Sequence, residues 1–278
     1  TLLSFGDMIR VPGSKESLYH ARNQGATVKI IYSPFDAVEL ALESPGETFV
    51  FFSVGFETTA AGVAGIISAK PPGNLKFLIA NRYMPPVLRL LMDVHDESIQ
   101  GFILPGHAAT ITGVHAYDFM ETEFKLPCVI TGFEPVDILL GVLELIGMIR
   151  ENKHQVVNAY PRAVNEMGNP LALERIEEVF EKRAGVWRGI DRIEGSAFYL
   201  RKKFDHLNAE IQLDCDPGYP PRPHPPGCQC HRIMLGELLP TDCKLFRDPC
   251  SPENPFGPCM VSREGTCNLW YGDKLAFL

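Results

Sequence analysis

Seven of the eight cysteines fall between Cys215 and Cys267, and their spacing is the strongest chemical signal in the chain. Cys228 and Cys230 are one residue apart. Cys243 follows after twelve residues, Cys250 after six, Cys259 after eight and Cys267 after seven. Pro240, Pro249, Pro252, Pro255, Gly257, Pro258 and Gly265 punctuate the segment, so it cannot bury much apolar surface and bonds to sulfur must hold it. Three kinds of bond compete. Disulfides need an oxidising compartment, and no secretory leader is visible. Structural zinc normally uses tight Cys-x-x-Cys knuckles, which are missing. An iron–sulfur cluster takes four thiolates, and wrapping loops can bring them from far apart. The spacing favours the cluster. It leaves six candidates for four positions and does not fix the ligand set. Cys215, outside the dense part, reads as an ordinary buried thiol.

A second set of residues sits in turns. Phe5-Gly6-Asp7, Gly55-Phe56-Glu57-Thr58-Thr59, Pro105-Gly106-His107 and Gly132-Phe133-Glu134-Pro135 each follow an apolar, β-branched run of strand length. Two of them share a Gly-Phe-Glu pattern 77 residues apart, a weak internal repeat. In open parallel sheets, ligands bind beyond the C-terminal strand ends, so these turns are the place to look for a site. Each residue also has a plain structural reading. Glu57 and Glu134 fall in first helical turns, where a carboxylate stabilises the helix dipole by a few tenths of a kcal/mol. A lone His after Pro-Gly is a common loop hydrogen-bonder. No Gly-x-Gly-x-x-Gly or P-loop pattern is present.

The elements that position these residues alternate. Strand-like runs at Thr27–Ser33, Thr48–Phe56, Leu75–Ala80, Ile99–Leu104 and Pro127–Phe133 are separated by stretches of helical period. Those stretches are Ser14–Gln24, Pro34–Glu43, Thr58–Lys70, Pro85–His95, Ala108–Phe124 and Glu134–Asn152. Strands apolar on both faces and alternating with helices predict an α/β protein with parallel sheets covered by helices. Ser14 is a candidate cap for the first helix, and Ser33-Pro34 an N-cap with proline at the first helical position. Residues 151–205 read as helical and charged, with an amphipathic run at Glu174–Arg183, and Trp187 as core. Six prolines between Pro217 and Pro226 make an extended arm.

The chain has 278 residues, 45% of them hydrophobic, and a net charge of −8. The size allows one large or two smaller cores. The charge argues against nucleic-acid or anionic-membrane partners. No apolar run reaches the roughly 18 residues of a membrane span, since Glu144 interrupts Ile138–Ile149. A cytoplasmic setting follows from the sparse cysteine content of the α/β body.

The turns and the cysteine tail together resemble the HypD family of hydrogenase maturation proteins. The blocks that carry the resemblance are Phe5–Ser14, Val54–Ala60, Leu104–His107, Ile130–Leu139, Gln155–Tyr160, Asp242–Phe246 and Gly257–Cys267, in the family's order. The resemblance implies two related parallel-sheet α/β units plus a loop-rich C-terminal iron–sulfur domain. It divides the chain into a remnant of the first unit (1–45), a unit bearing the site loops (46–152), and a helical segment with the cluster domain (153–278). It implies a scaffold with redox activity, rather than a turnover enzyme, that assembles the Fe(CN)2CO centre of nickel–iron hydrogenases. The partners implied are HypC, a small chaperone, and HypE, which delivers cyanide. The family's cysteine spacing puts a 4Fe–4S cluster on Cys228, Cys243, Cys250 and Cys267, with Cys230 and Cys259 as alternates. His107, Glu57 and Thr58 match blocks near the iron-centre site. Ala108-Ala109-Thr110 departs from the family's hydroxyl-bearing run after the histidine. The family also carries Cys-Gly-Thr-His and Cys-Pro-Val-Cys motifs ahead of the block at Phe5, and no cysteine precedes Cys128 here. The expectation is an N-terminally shortened HypD that does not hold the cyano-carbonyl iron by itself.

Overall fold

Short strands with side chains buried on both faces form two parallel sheets in the computed structural model, which describes residues 1–13, 15–94, 99–187, 190–214 and 225–272. The first sheet contains β1 (Leu2–Phe5), β2 (Val28–Ile31), β3 (Phe49–Ser53) and β4 (Leu75–Ile79) in the order β2-β1-β3-β4. Its register sets Leu3 beside Phe51 and Phe51 beside Phe77, all three fully buried. The aromatic rings meet edge to face: Phe5 with Phe51 at 5.5 Å and Phe51 with Phe77 at 6.3 Å between centroids. Helices α1 (Leu18–Asn23), α2 (Pro34–Glu43) and α3 (Glu57–Ser68) connect these strands. Ser33 and Asp36 form a capping box at the start of α2, with Pro34 at the first helical position, as the sequence predicts. The cap of α1 is Ser17 rather than Ser14, and Ser14 lies outside the described residues.

The second sheet is β5 (Phe102–Pro105), β6 (Cys128–Thr131) and β7 (Val156–Asn158), in that order and all parallel. Helix α4 (Pro85–Val94) leads into it. Leu104, Cys128 and Ile130 of its strands pack on Tyr117 and Met120. The stretch Ala108–Phe124 is not one helix. Gly113, at φ +79° and ψ 173°, divides it into α5 (Gly106–Thr112), a 3-10 turn, and α6 (Phe119–Thr122). Helix α7 (Pro135–Glu151) covers β5 and β6 and turns Leu139, Leu140 and Leu143 to solvent.

Strands on both sides of residue 45 share one sheet, β1 and β2 with β3 and β4, while β5 and β6 belong to the other. One expectation is corrected. Residues 151–205 are only partly helical: after α8 (Pro170–Val179) the chain forms an antiparallel hairpin, β8 (Phe180–Trp187) with β9 (Asp191–Leu200). Ile176, Val179, Phe180 and Phe198 join the first sheet's core, so the chain returns to the first unit after building the second. Helix α9 (Ala209–Gln212) then packs near β4. Cys215 and most of the proline arm lie outside the described residues.

The lobe that follows carries little regular structure: α10 (Cys230–Met234), α11 (Pro258–Val261) and α12 (Thr266–Gly272). Its core consists of Cys228, Cys230, Cys243, Cys250, Cys259 and Cys267 with Ile233 and Met260. Among the described residues no helix is long and apolar enough to cross a membrane.

Candidate metal centre

Each cysteine of the lobe is fixed by tight local backbone. The Cys228 N–H donates to Pro225 O at 3.0 Å, and the Cys243 N–H to Pro240 O at 3.2 Å. Asp242 caps that turn by accepting from the Leu239 N–H at 2.9 Å. Cys250 closes a loop by donating to Leu245 O at 2.9 Å and accepting from the Arg247 N–H at 3.0 Å. Cys259 lies in α11 and Cys267 in α12, and their sulfurs are 3.2 Å apart. All six side chains are buried.

Burial pushes the Cys228 thiol up, and Cys243 and Cys250 push it further. Burial raises the Cys267 thiol to about 12, with Cys250, Cys228 and Cys243 adding to it. All six cysteines lie in one buried cluster, in which the sulfurs of Cys230 and Cys259 approach each other closely. A Cβ on Gly257 would come within 2.8 Å of Cys228 Sγ and 3.1 Å of Cys230 Cβ, so a bare residue is needed to let the sulfurs in. Four soft thiol donors in a buried, glycine-cleared lobe fit an iron–sulfur cluster. Among the described residues no three His, Cys, Asp or Glu side chains are drawn together tightly enough for a single metal ion.

The strand-end turns form a second group. His107 is the second residue of α5, exposed, with its ring 4.9 Å from that of Phe133. Burial of part of the ring lowers its pKa, and Glu264 of the cysteine lobe opposes that shift. The charge of that lobe is thus felt at the Pro-Gly-His turn. Glu264 was missed by sequence reasoning, although it sits in the closing block between Cys259 and Cys267. Asp137, buried in the first turn of α7, is held by Arg162 through two hydrogen bonds, one at 2.7 Å. The Arg162 guanidinium also lies 4.4 Å over the Tyr160 ring. A side chain on Gly106 would run into Thr131 O and that ring, and one on Gly132 into the Asp137 carboxylate and that ring, so both positions need glycine. Nothing in the spacing of Asp137 and Arg162 announced the pair.

The two Gly-Phe-Glu turns are used differently. Thr58 is exposed, but Glu57 is 1% exposed and faces inward. Its Oε1 accepts from the Met84 N–H at 2.8 Å. Burial raises its pKa, against the backbone N–H groups and Lys182. Trp187 is half-buried rather than core: it stacks on Phe56 with centroids 6.2 Å apart and donates from Nε1 to Ser196 Oγ at 2.8 Å.

These features define a class: an α/β protein with two parallel sheets and a separate lobe cored with cysteines. Comparison with known proteins narrows it. The family model HypD, described as the hydrogenase formation hypA family, matches residues 1–274. A Methanocaldococcus jannaschii protein whose name assigns it to hydrogenase expression and formation is 41% identical over 273 residues, covering 97% of this chain and 75% of that protein. Hydrogenase maturation factor HypD of Escherichia coli is 37% identical, over 96% of this chain and 72% of its own length. HypD of Rhodobacter capsulatus is 38% identical, with 96% and 73% covered. The chain belongs to the HypD family of hydrogenase maturation factors.

Proposed function

We propose that this protein is a redox-active scaffold of nickel–iron hydrogenase maturation, holding a 4Fe–4S cluster on Cys228, Cys243, Cys250 and Cys267. The observation that carries this reading is the buried cluster that holds Cys228, Cys243, Cys250 and Cys267 in one lobe, where Cys243 and Cys250 add to the upward push of burial on the Cys228 and Cys267 thiols. When bound, such a cluster supplies one-electron chemistry. The chain's own residues then have distinct tasks. Gly257 leaves room for sulfur, and the turns at Cys228, Cys243 and Cys250 aim the thiols inward. Burial excludes water from them.

The cargo in this reading is an iron carrying cyanide and carbon monoxide, Fe(CN)2CO, assembled with a HypC-type chaperone and a HypE-type cyanide donor in the cytoplasm. His107 and Thr58 face outward and would border the cargo, while Glu57 acts from inside the fold. The charge of Glu264, felt at His107, is in keeping with this, because strand ends are where a ligand binds in an open parallel sheet. The apolar residues that α7 turns to solvent are surface of the kind a protein partner covers.

The test is metal analysis after anaerobic purification. About four irons with matching sulfide per chain are expected. Serine at Cys228, Cys243, Cys250 or Cys267 should abolish iron retention, whereas Cys128→Ser should not. Stoichiometric zinc without iron would sink the cluster. Failure of the protein to retain either a HypC-type or a HypE-type protein in pull-downs would sink the partners.

A further inference from the structure

Helix α7 is apolar nearly all the way round, a pattern that belongs to a helix covered on every side. In this chain it is covered on one side. Gly141 and Met148 are buried, and Gly141 lies against Thr131 and Val129 of β6. Val136, Leu139, Leu140, Leu143 and Ile146 stand in solvent, with Leu139 68% and Leu143 67% exposed. At about 100° per residue they form one continuous arc centred on Leu143, with Glu144 at its rim. The solvent-facing area of this arc, with Phe133 and Val142 beside it, is on the order of 700 Å2, against the roughly 800 Å2 that each partner gives a standard stable interface.

The character of the arc says what covers it. Transient interfaces are about as polar as the rest of a protein surface, whereas permanent contacts between copies of one chain resemble a domain core. The arc is of the second kind, and it is complementary to itself. A two-fold axis through Leu143 sets the helix against its copy in the opposite direction and pairs positions equally spaced about Leu143. Leu139 of one copy then meets Gly147 of the second, where a Cβ would find nothing within 4 Å. Leu140 meets Ile146. The notch at Gly147 lets the two axes approach to the roughly 8–10 Å of packed helices. The helix ends carry opposite charges, with Glu134 exposed at the N-terminus and Arg150 exposed at the C-terminus. In the antiparallel pair each Glu134 comes within side-chain reach of Arg150 on the second copy, once at either end of the contact.

We propose that α7 is the seat of a symmetric dimer, in which a second copy of this chain covers the arc through its own α7 in antiparallel packing. The net charge of −8 on each copy opposes the contact only at long range, because the arc itself holds no acidic side chain. The dimer does not rest on the scaffold reading above. It is tested by mass, and the cluster by iron.

Sedimentation equilibrium of the whole iron-loaded protein should give twice the chain's 30.9 kDa. A monomer throughout the micromolar range would overturn the proposal, and so would open-ended aggregates, because a two-fold contact closes at two. Leu143→Glu should raise the dimer Kd at least about 100-fold, since it buries an unpaired charge at the axis. Leu171→Glu, at an exposed apolar position on α8, should leave the dimer as it is. An unaffected dimer in Leu143→Glu, or equal loss in Leu171→Glu, would overturn the assignment to α7. The charges test the direction of packing. Glu134→Arg alone and Arg150→Glu alone should each weaken the dimer about fivefold, and the two together in one chain should restore it. A double variant as weak as the sum of its parts would overturn the antiparallel pairing.

Discussion

Asp137 is nearly enclosed by the turn it sits in, and Arg162 holds its carboxyl below the usual carboxylate range, chiefly through their hydrogen bonds. A depressed carboxyl pKa contributes stability that is present above the unfolded value and lost as pH falls through the folded one. The melting temperature of the wild-type protein should therefore fall more steeply toward acid than that of Asp137→Asn, and equal slopes would contradict the assignment. Neither Asp137 nor Arg162 was legible as a pair, because 25 positions of chain separate them and only the return of β7 to the sheet brings them together. The Gly-Phe-Glu repeat was legible as a pattern but not in its use. Glu57 is the first residue of α3 and points into the fold. Glu134 is the N-cap of α7, one step earlier relative to its helix, and is exposed. A one-residue offset against a helix turns a side chain by about 100°, enough to exchange core for solvent.

At the scale of elements, the parallel strands and their helices could be read because a doubly buried strand and an amphipathic helix leave different periodicities. Ser33 and Asp36 announced the start of α2 in the same local way. The hairpin of β8 and β9 left a weaker trace. Lys182, Arg183 and Arg192 are exposed on it, so charge mimicked a solvated helix, while Phe180 and Phe198 joined a core built from residues more than a hundred positions earlier. The long helix expected after His107 fails at one residue. Gly113 adopts a conformation that only glycine tolerates, and a Cβ there would collide with the backbone of Glu166 and Gly168. Gly113→Ala should lower stability by roughly 1–3 kcal/mol, measured by urea unfolding. A neutral result would mean that α5 and α6 can merge into one helix.

Across the molecule, the two kinds of core differ in what holds them. The α/β body buries Leu3, Phe49, Phe51, Phe77, Leu104 and Ile130 completely, and hydrophobic burial of that kind needs no metal. The cysteine lobe has few such residues, and its buried positions are mostly sulfur. Burial makes the Cys228 and Cys267 thiols resist losing their protons, and protonated thiols are poor glue until a metal takes them as thiolates, so metal binding and folding of the lobe should be one event. Limited proteolysis separates the two cores. The iron-loaded protein should resist cleavage throughout. After chelation, cuts should appear first in the loops around Arg247–Asn254 and Ser262–Gly265, while the sheets from Leu2 to Asn158 stay intact. Equal protection of the lobe with and without metal would show that the packing of Ile233 and Met260 among the cysteine side chains suffices to hold it. The lobe's fold would then be a fixed feature of the chain, not one that metal brings about.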